Sequence, residues 1–308
     1  MGYPDKSTRD FTGPARPRTA DPAAVFPAIE AIRTREPVGP PQNHWMEDLF
    51  DYSGRTVFVA GGTSGINFAI AESFARAGAS VAVLSRRPDK VKTAVDRLGE
   101  YGITALGFAA DVRDFDAVDS ALTTTQAELG ELDVVISGAA GNFPAPADSM
   151  SPRAFAAVVD IDLKGTYNVL RAAHPHLRKP GAAVINISAP QATVPMSFQA
   201  HACAAKAGVD MVTKVCALEW GPAGIRVNAI VPGPIADTEG MSRLAPTPEL
   251  AGAVADSVPL GRYGTTDDIS ACALWLASPH ASYINGAIIP VDGGWSLGGA
   301  AVLTRGAP

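Results

Sequence analysis

Three short runs of this chain carry residue types able to hold a dinucleotide. Gly61-Gly62-Thr63-Ser64-Gly65-Ile66-Asn67 follows a β-branched apolar run and leads into a helical pattern. Glycines let a backbone turn sharply and approach a pyrophosphate, and a helix start offers it free N–H groups and a positive dipole end. A glycine cluster alone could be a plain turn. Placed between a first strand and a first helix, it marks Gly61, Thr63, Ser64, Gly65 and Ile66 as nucleotide-binding candidates. The second run, Ser85-Arg86-Arg87-Pro88-Asp89, ends the next apolar strand. An NAD site usually places an acidic side chain there for the ribose 2′-hydroxyl. Here two guanidiniums follow a serine, a set suited to a phosphate dianion. Two cations at a helix start are disfavoured unless an anion is present. Arg86 and Arg87 therefore predict NADP(H) over NAD(H). In the third run, Asp111-Val112 follows the third strand, where an adenine-edge contact would fall.

The elements that must position these runs are legible in the pattern. Short apolar runs occur at 56–60, 80–85, 104–109, 132–137, 182–188, 225–230 and 287–291. Helical patterns separate them at 65–78, 88–100, 114–129, 151–178, 200–221 and 266–278. The strand runs are continuously apolar, as in Val81-Ala82-Val83-Leu84, which suits strands buried on both faces of a parallel sheet. The expected fold is α/β: a single Rossmann-like, doubly wound domain with a seven-stranded parallel sheet, over residues 46–308. Segment 238–264 breaks the alternation, with Pro246, Pro248 and Pro259 and a short helix expected at 247–257. It follows the sixth strand at the ligand-binding edge of such sheets, so it reads as a substrate lid, with Gly240 and Met241 as substrate contacts. Residues 1–45 form a Pro-rich extension with eight prolines and no apolar core for a signal peptide. Only Ala23 to Arg33 has helix-like spacing; the extension reads as an arm laid on the surface or on a neighbouring subunit.

Composition narrows the class. Of 308 residues, 47% are hydrophobic and 18% charged, which leaves ample apolar surface to bury and excludes global disorder. No uncharged apolar run reaches the roughly 18 residues that span a bilayer, so no membrane is expected. A net charge of −6 makes nucleic acid a poor partner. Cys203, Cys216 and Cys272 are too few for a disulfide scaffold and lack metal-site spacing. They are expected in helix cores, with no metal, in a reducing, cytoplasmic compartment.

These runs, with Gly138-Ala139-Ala140-Gly141 after the fourth strand and Pro232-Gly233 after the sixth, resemble the short-chain dehydrogenase/reductase superfamily. Ala200 to Lys206 leading into a helix, Glu219-Trp220-Gly221-Pro222, Ile225-Arg226-Val227-Asn228 and Asp292-Gly293-Gly294 carry the same likeness, over roughly residues 50–296. The resemblance implies cofactor contacts at Ala139, Ala140, Gly141, Lys206, Pro232, Gly233 and Ile235. It also implies pairing of the helices at 151–178 and 200–221 into a homo-oligomer, a homotetramer. The chain departs from the superfamily pattern at several places. Asn67 stands at the third motif glycine, Ala60 at the opening threonine, and Gly138 at the first asparagine of the strand-four motif. Ala202 stands four residues before Lys206, where the family carries its proton-exchanging tyrosine. Ala189 holds the position of the partner serine, and Asp162 that of an asparagine.

That combination, with Asn142, Phe143 and Pro232-Gly233-Pro234-Ile235 before Thr238-Glu239-Gly240, is similar to the 2,4-dienoyl-CoA reductases, peroxisomal type. Those enzymes reduce a conjugated dienoyl thioester with NADPH to a 3-enoyl thioester. The resemblance makes Lys206 and Asp162 the catalytic candidates: Lys206 to bind the nicotinamide ribose and lend charge to a dienolate, Asp162 to orient Lys206 or a water. Asn142, Phe143 and Gln191 would lie near the acyl chain or nicotinamide. His201 adjoins the vacant tyrosine position; neighbours on a helix diverge by about 100°, so it is expected to pack or face solvent. Two other readings stand beside this one. One is a keto/alcohol oxidoreductase of specialised metabolism that uses Asp162, Gln191, His201 or water as acid. The other is an NADP-binding protein that has lost its chemistry. The C-terminus, Arg305-Gly306-Ala307-Pro308, carries no peroxisomal address.

Overall fold

The structure, a computed structural model, describes residues 50–300. The Pro-rich extension and its helical pattern at 23–33 lie outside the described residues. Seven strands form one sheet: β1 (Thr56–Ala60), β2 (Ser80–Ser85), β3 (Ala105–Ala109), β4 (Val134–Ser137), β5 (Ala183–Ile187), β6 (Arg226–Pro232) and β7 (Ile288–Val291). Their order is β3-β2-β1-β4-β5-β6-β7, and every neighbouring pair is parallel. The central strands are buried on both sides. In β1, Val57 and Val59 enter one core while Phe58 and Ala60 enter the other.

Three long helices cover each face. α1 (Gly65–Arg76), α2 (Pro88–Gly99) and the late helix Thr266–Ala277 bury Phe68, Phe74, Leu98 and Ile269 in the first core. α3 (Phe115–Leu129) and, from later in the chain, helices Gly165–Ala173 and Ala200–Trp220 bury Leu122, Leu170 and Cys216 in the second. Strand order reverses between β1 and β4, whose register pairs Ala60 with Ser137. A crevice at the carboxyl ends of strands is the usual ligand site of such sheets. Gly61 and Gly138 are the first residues beyond that paired register.

The helix expected at 151–178 keeps helical backbone over Pro152–Ala173 but not α-geometry throughout. It divides into α4 (Pro152–Val159), a π-helical turn at Asp160–Lys164, and α5 (Gly165–Ala173), with the Gly165 N–H reaching back to the Asp160 carbonyl. α6 (Ala200–Trp220) follows β5. Beyond β6, Thr238 caps a short helix that the pattern did not suggest, α7 (Glu239–Leu244). Thr247 caps α8 (Pro248–Ser257), which matches the helix expected there. The Thr266–Ala277 helix is α9. Among the described residues no helix is long and apolar enough to cross a membrane. Among the same residues no group of three or more histidines, cysteines and carboxylates could hold a metal ion.

Candidate active site

The cleft at the sheet's switch point measures about 260 Å³ and is lined by Gly61, Thr63, Ser64, Arg86, Arg87, Asp111, Val112, Ala139 and Ala140. The three dinucleotide-type runs therefore meet in one place. Gly61 has φ +81°, and a Cβ added there would come within 2.9 Å of the Ala139 backbone. Only glycine leaves the crevice open at that point. Arg87 is bound to Asp89, with Nη2 2.5 Å from Oδ2. Asp111 is held by Arg113 through Nε at 3.0 Å and Nη2 at 2.6 Å, and that guanidinium keeps the carboxyl below its ordinary range. Arg86 has no carboxylate within ion-pair distance among the described residues. Lys90, in the first turn of α2, lines the same cleft. These residues fit a nicotinamide dinucleotide: small backbone at the turn, with Arg86, Arg87 and Lys90 lining the same cleft.

Not every expected cofactor residue lines this cleft. Gly65 opens α1, and Ile66 packs against the core. The Ile235 side chain is only 2% exposed and lies in the core, so a contact from it has to be a backbone contact. Pro232 ends β6, and Gly233 donates to the Val291 carbonyl at 3.0 Å. Gly240 and Met241 sit on α7, where the Met241 N–H is taken up by the Thr238 hydroxyl.

A second cluster lies next to the first. The Lys206 ammonium donates to the Ile187 carbonyl at 2.9 Å and stands 3.5 Å from Asp162 Oδ2. Both side chains are buried, 9% and 3% exposed. The other Asp162 oxygen accepts the Gly141 N–H at 2.8 Å. Asp162 thus joins the lysine to the strand-four loop, and its neighbour Ile161 lines the dinucleotide cleft. The π-helical turn carries Asp162; such turns recur at functional sites because they re-aim side chains without ending the helix. α6 approaches that turn closely at Gly208, where a Cβ would meet the Leu163 side chain at 2.7 Å.

Asn142 and Gln191 are brought together through a residue the sequence reading did not select. The Gln199 carbonyl oxygen accepts from Asn142 Nδ2 at 2.8 Å and from Gln191 Nε2 at 3.0 Å. Gln199 is buried and is the residue before α6, yet its side chain makes no cap hydrogen bond. Phe198 beside it adopts φ +65°, a strained setting for a bulky residue, and its carbonyl accepts the Ala145 N–H at 2.8 Å. His201 is fully buried and packs edge-on to Phe143, ring centres 4.6 Å apart. Ala202 and Ala189 add no hydroxyl to the cluster. A wider cleft of about 1050 Å³ opens at the opposite, amino-terminal ends of the strands. Its Arg55 and Arg178 are both already bound to Asp133, at 2.8 and 2.6 Å, so it offers no comparable cluster of poised groups.

Comparison with known proteins gives the family. Residues 60–296 match the family model described as enoyl-(acyl carrier protein) reductase. A Pongo abelii protein named peroxisomal 2,4-dienoyl-CoA reductase, (3E)-enoyl-CoA-producing, is 43% identical over 243 residues, 78% of this chain and 83% of its own length. The Saccharomyces cerevisiae protein of the same name is 39% identical over 262 residues, covering 83% of this chain and 89% of its own. Among solved structures, a short-chain type dehydrogenase/reductase from Mycobacterium marinum superposes with a TM-score of 0.75 at 31% identity, over 81% of this chain and 98% of its own. With a parallel sheet wound around a dinucleotide crevice and a buried lysine beside it, this chain belongs to the short-chain dehydrogenase/reductase family of oxidoreductases.

Proposed function

We propose that this chain reduces 2,4-dienoyl-CoA thioesters with NADPH. The observation that carries the reading is the buried Lys206–Asp162 pair on a framework whose tyrosine and serine positions are Ala202 and Ala189. Carbonyl reduction needs an O–H donor at the oxygen beside the carbon that accepts hydride, and two alanines supply none there. Reduction of a conjugated dienoyl thioester has a different need. When bound, the nicotinamide supplies a hydride, which this chemistry places at the far end of the conjugated system. Negative charge collects on the thioester oxygen as a dienolate, and a proton from water goes to the α-carbon, leaving a 3-enoyl thioester. The site must then stabilise an enolate oxygen and place a water.

Each residue has a role in that scheme. A lysine ammonium has three N–H donors; the Ile187 carbonyl takes one and Asp162 Oδ2 stands 3.5 Å away as its counter-charge, which leaves donor capacity for a ribose hydroxyl or the dienolate oxygen. Asp162 holds the ammonium in place and, through the Gly141 N–H, fixes the loop that borders the cofactor. Asn142, Phe143 and Gln191 flank the acyl chain, with Gln199 holding the two amides in register. Gly240 and Met241 close over the substrate from the lid. Arg86, Arg87 and Lys90 support NADPH over NADH, because they place cations where the 2′-phosphate would lie. The three free cysteines fit a reducing, cytoplasmic setting. The exposed apolar residues of α6 support a homotetramer.

The test is NADPH oxidation with a panel of 2,4-dienoyl-CoA thioesters of different chain length. Turnover on one or more of them, with the 3-enoyl product identified by mass spectrometry and NMR, is expected. A rate equal to the enzyme-free blank across the panel would sink the reading.

A further inference from the structure

Two departures from the family pattern are in contact with each other. Asn67, at the position of the third motif glycine, lies in the first turn of α1 and faces the end of β4. Its Nδ2 donates to the Gly138 carbonyl at 2.7 Å. A Cβ built on Gly138 would lie 2.1 Å from Asn67 Oδ1, 2.6 Å from its Cγ and 2.6 Å from its Nδ2. No residue but glycine fits at 138 while Asn67 keeps this position. A Cβ on Gly61 would come within 3.0 Å of the same Nδ2. The carboxamide therefore fills the space between the ends of β1 and β4, and it does so from the helix. The third glycine of such motifs serves close helix–strand packing. Here the small residue has changed sides, from the helix to the strand end.

The other half of the carboxamide points to a ligand. Asn67 Oδ1 is buried and has no hydrogen-bond partner, although buried polar atoms are paired in the large majority of cases. Its identity as the oxygen is fixed by chemistry. The Gly138 carbonyl can only accept, so the amide must turn its N–H toward it, which leaves Oδ1 alongside the Gly138 Cα, 2.1 Å from where a Cβ would stand. Asn67 lines the dinucleotide cleft beside Gly61, Thr63, Ser64 and Ala139. An acceptor at that place cannot bond a phosphate oxygen, which is itself an acceptor. It can bond a hydroxyl. Both nicotinamide dinucleotides carry ribose hydroxyls on either side of the pyrophosphate.

We propose that Asn67 is a dinucleotide-binding residue of this chain, its Oδ1 accepting from a ribose hydroxyl, and that Gly138 is the partner that makes room for it. The pair is one device divided between two motifs. It rests on the reading that the cleft binds a nicotinamide dinucleotide, and it does not depend on which substrate is reduced.

The experiment measures dinucleotide dissociation constants by calorimetry, together with thermal midpoints, for the wild type, Asn67→Gly, Asn67→Ala, Gly138→Ala and the double variant Asn67→Gly/Gly138→Ala. Loss of the one hydrogen bond in Asn67→Gly and Asn67→Ala is expected to weaken NADPH and NADH alike by about tenfold, with their ratio unchanged because the ribose hydroxyl is common to both. Gly138→Ala alone is expected to lower the midpoint. The double variant should return to the midpoint of Asn67→Gly, the non-additivity expected of two residues in contact. Unchanged dissociation constants in both Asn67 variants would overturn the ligand role. Equal damage by Gly138→Ala with and without Asn67 would overturn the pairing. A wild type that binds neither dinucleotide would instead remove the cofactor reading on which the proposal stands. Dinucleotide binding without dienoyl-CoA turnover would leave this inference intact and overturn only the substrate.

Discussion

Lys206 and Asp162 hold each other inside the protein, so each is exposed to the other's loss. Truncating one partner of a buried ion pair costs about 3–5 kcal/mol, because the remaining charge is left without compensation. Lys206→Ala and Asp162→Ala are both expected to abolish measurable dienoyl-CoA reduction and to lower the thermal midpoint. Asp162→Asn keeps an oxygen for the Gly141 N–H and removes only the charge. It should lose turnover with a smaller drop in midpoint. The double variant Lys206→Met/Asp162→Asn should recover most of the midpoint and none of the activity. If it recovered activity as well, the pair would be structural. At this scale the sequence was informative wherever a motif carried the residue: Lys206 and Asp162 stand at family positions and meet in space. Gln199 was hidden because a glutamine before a helix has no signature of its own; only the fold brings Asn142 and Gln191 to it. The resemblance implies a cofactor contact at Ile235 but not its kind; with the side chain in the core, its backbone is the part that can make one.

The strands were readable as elements because both of their faces are buried, which leaves continuous apolar runs with sharp ends. The π-helical turn within the helix expected at 151–178 was not, because its close packing partner is distant in sequence: Leu163 meets α6 at Gly208. The end of segment 238–264 is fixed by a different device. Thr265 and Asp268 form a reciprocal capping box at the start of α9, and Arg262 grips Asp268 at 2.8 and 3.1 Å. The Arg262 guanidinium holds the Asp268 carboxyl below its ordinary value of 3.8. A carboxyl lowered on folding stabilises the protein above its unfolded value and ceases to as pH falls through its folded value. Asp268→Asn is therefore expected to cost about 1 kcal/mol at neutral pH. The difference from the wild type should shrink below about pH 4. Denaturant unfolding at pH 7 and pH 3 measures both; a gap that widens in acid would contradict the assignment.

For the molecule as a whole, α6 presents Met211, Val215 and Leu218 at helical spacing on one face, 58%, 42% and 78% exposed. α4 packs beside α6 and leaves Phe155 partly exposed, and Tyr167 on α5 is 52% exposed. A run of apolar side chains at i, i+4 and i+7 is the pattern of a helix face that is covered by something. The same helix carries Lys206 on its buried side, so covering α6 is expected to steady the lysine as well. Light scattering of the wild type is expected to give the mass of four chains. Val215→Glu/Leu218→Glu places two like charges in the contact and should give a smaller species. Because Lys206 and Asp162 lie on the other face, the separated subunits should still bind NADPH, with turnover lowered in proportion to the loss of α6's outer support. A wild type that runs as a single chain at micromolar concentration would show that the face is free, and the coupling of assembly to the lysine would fall with it.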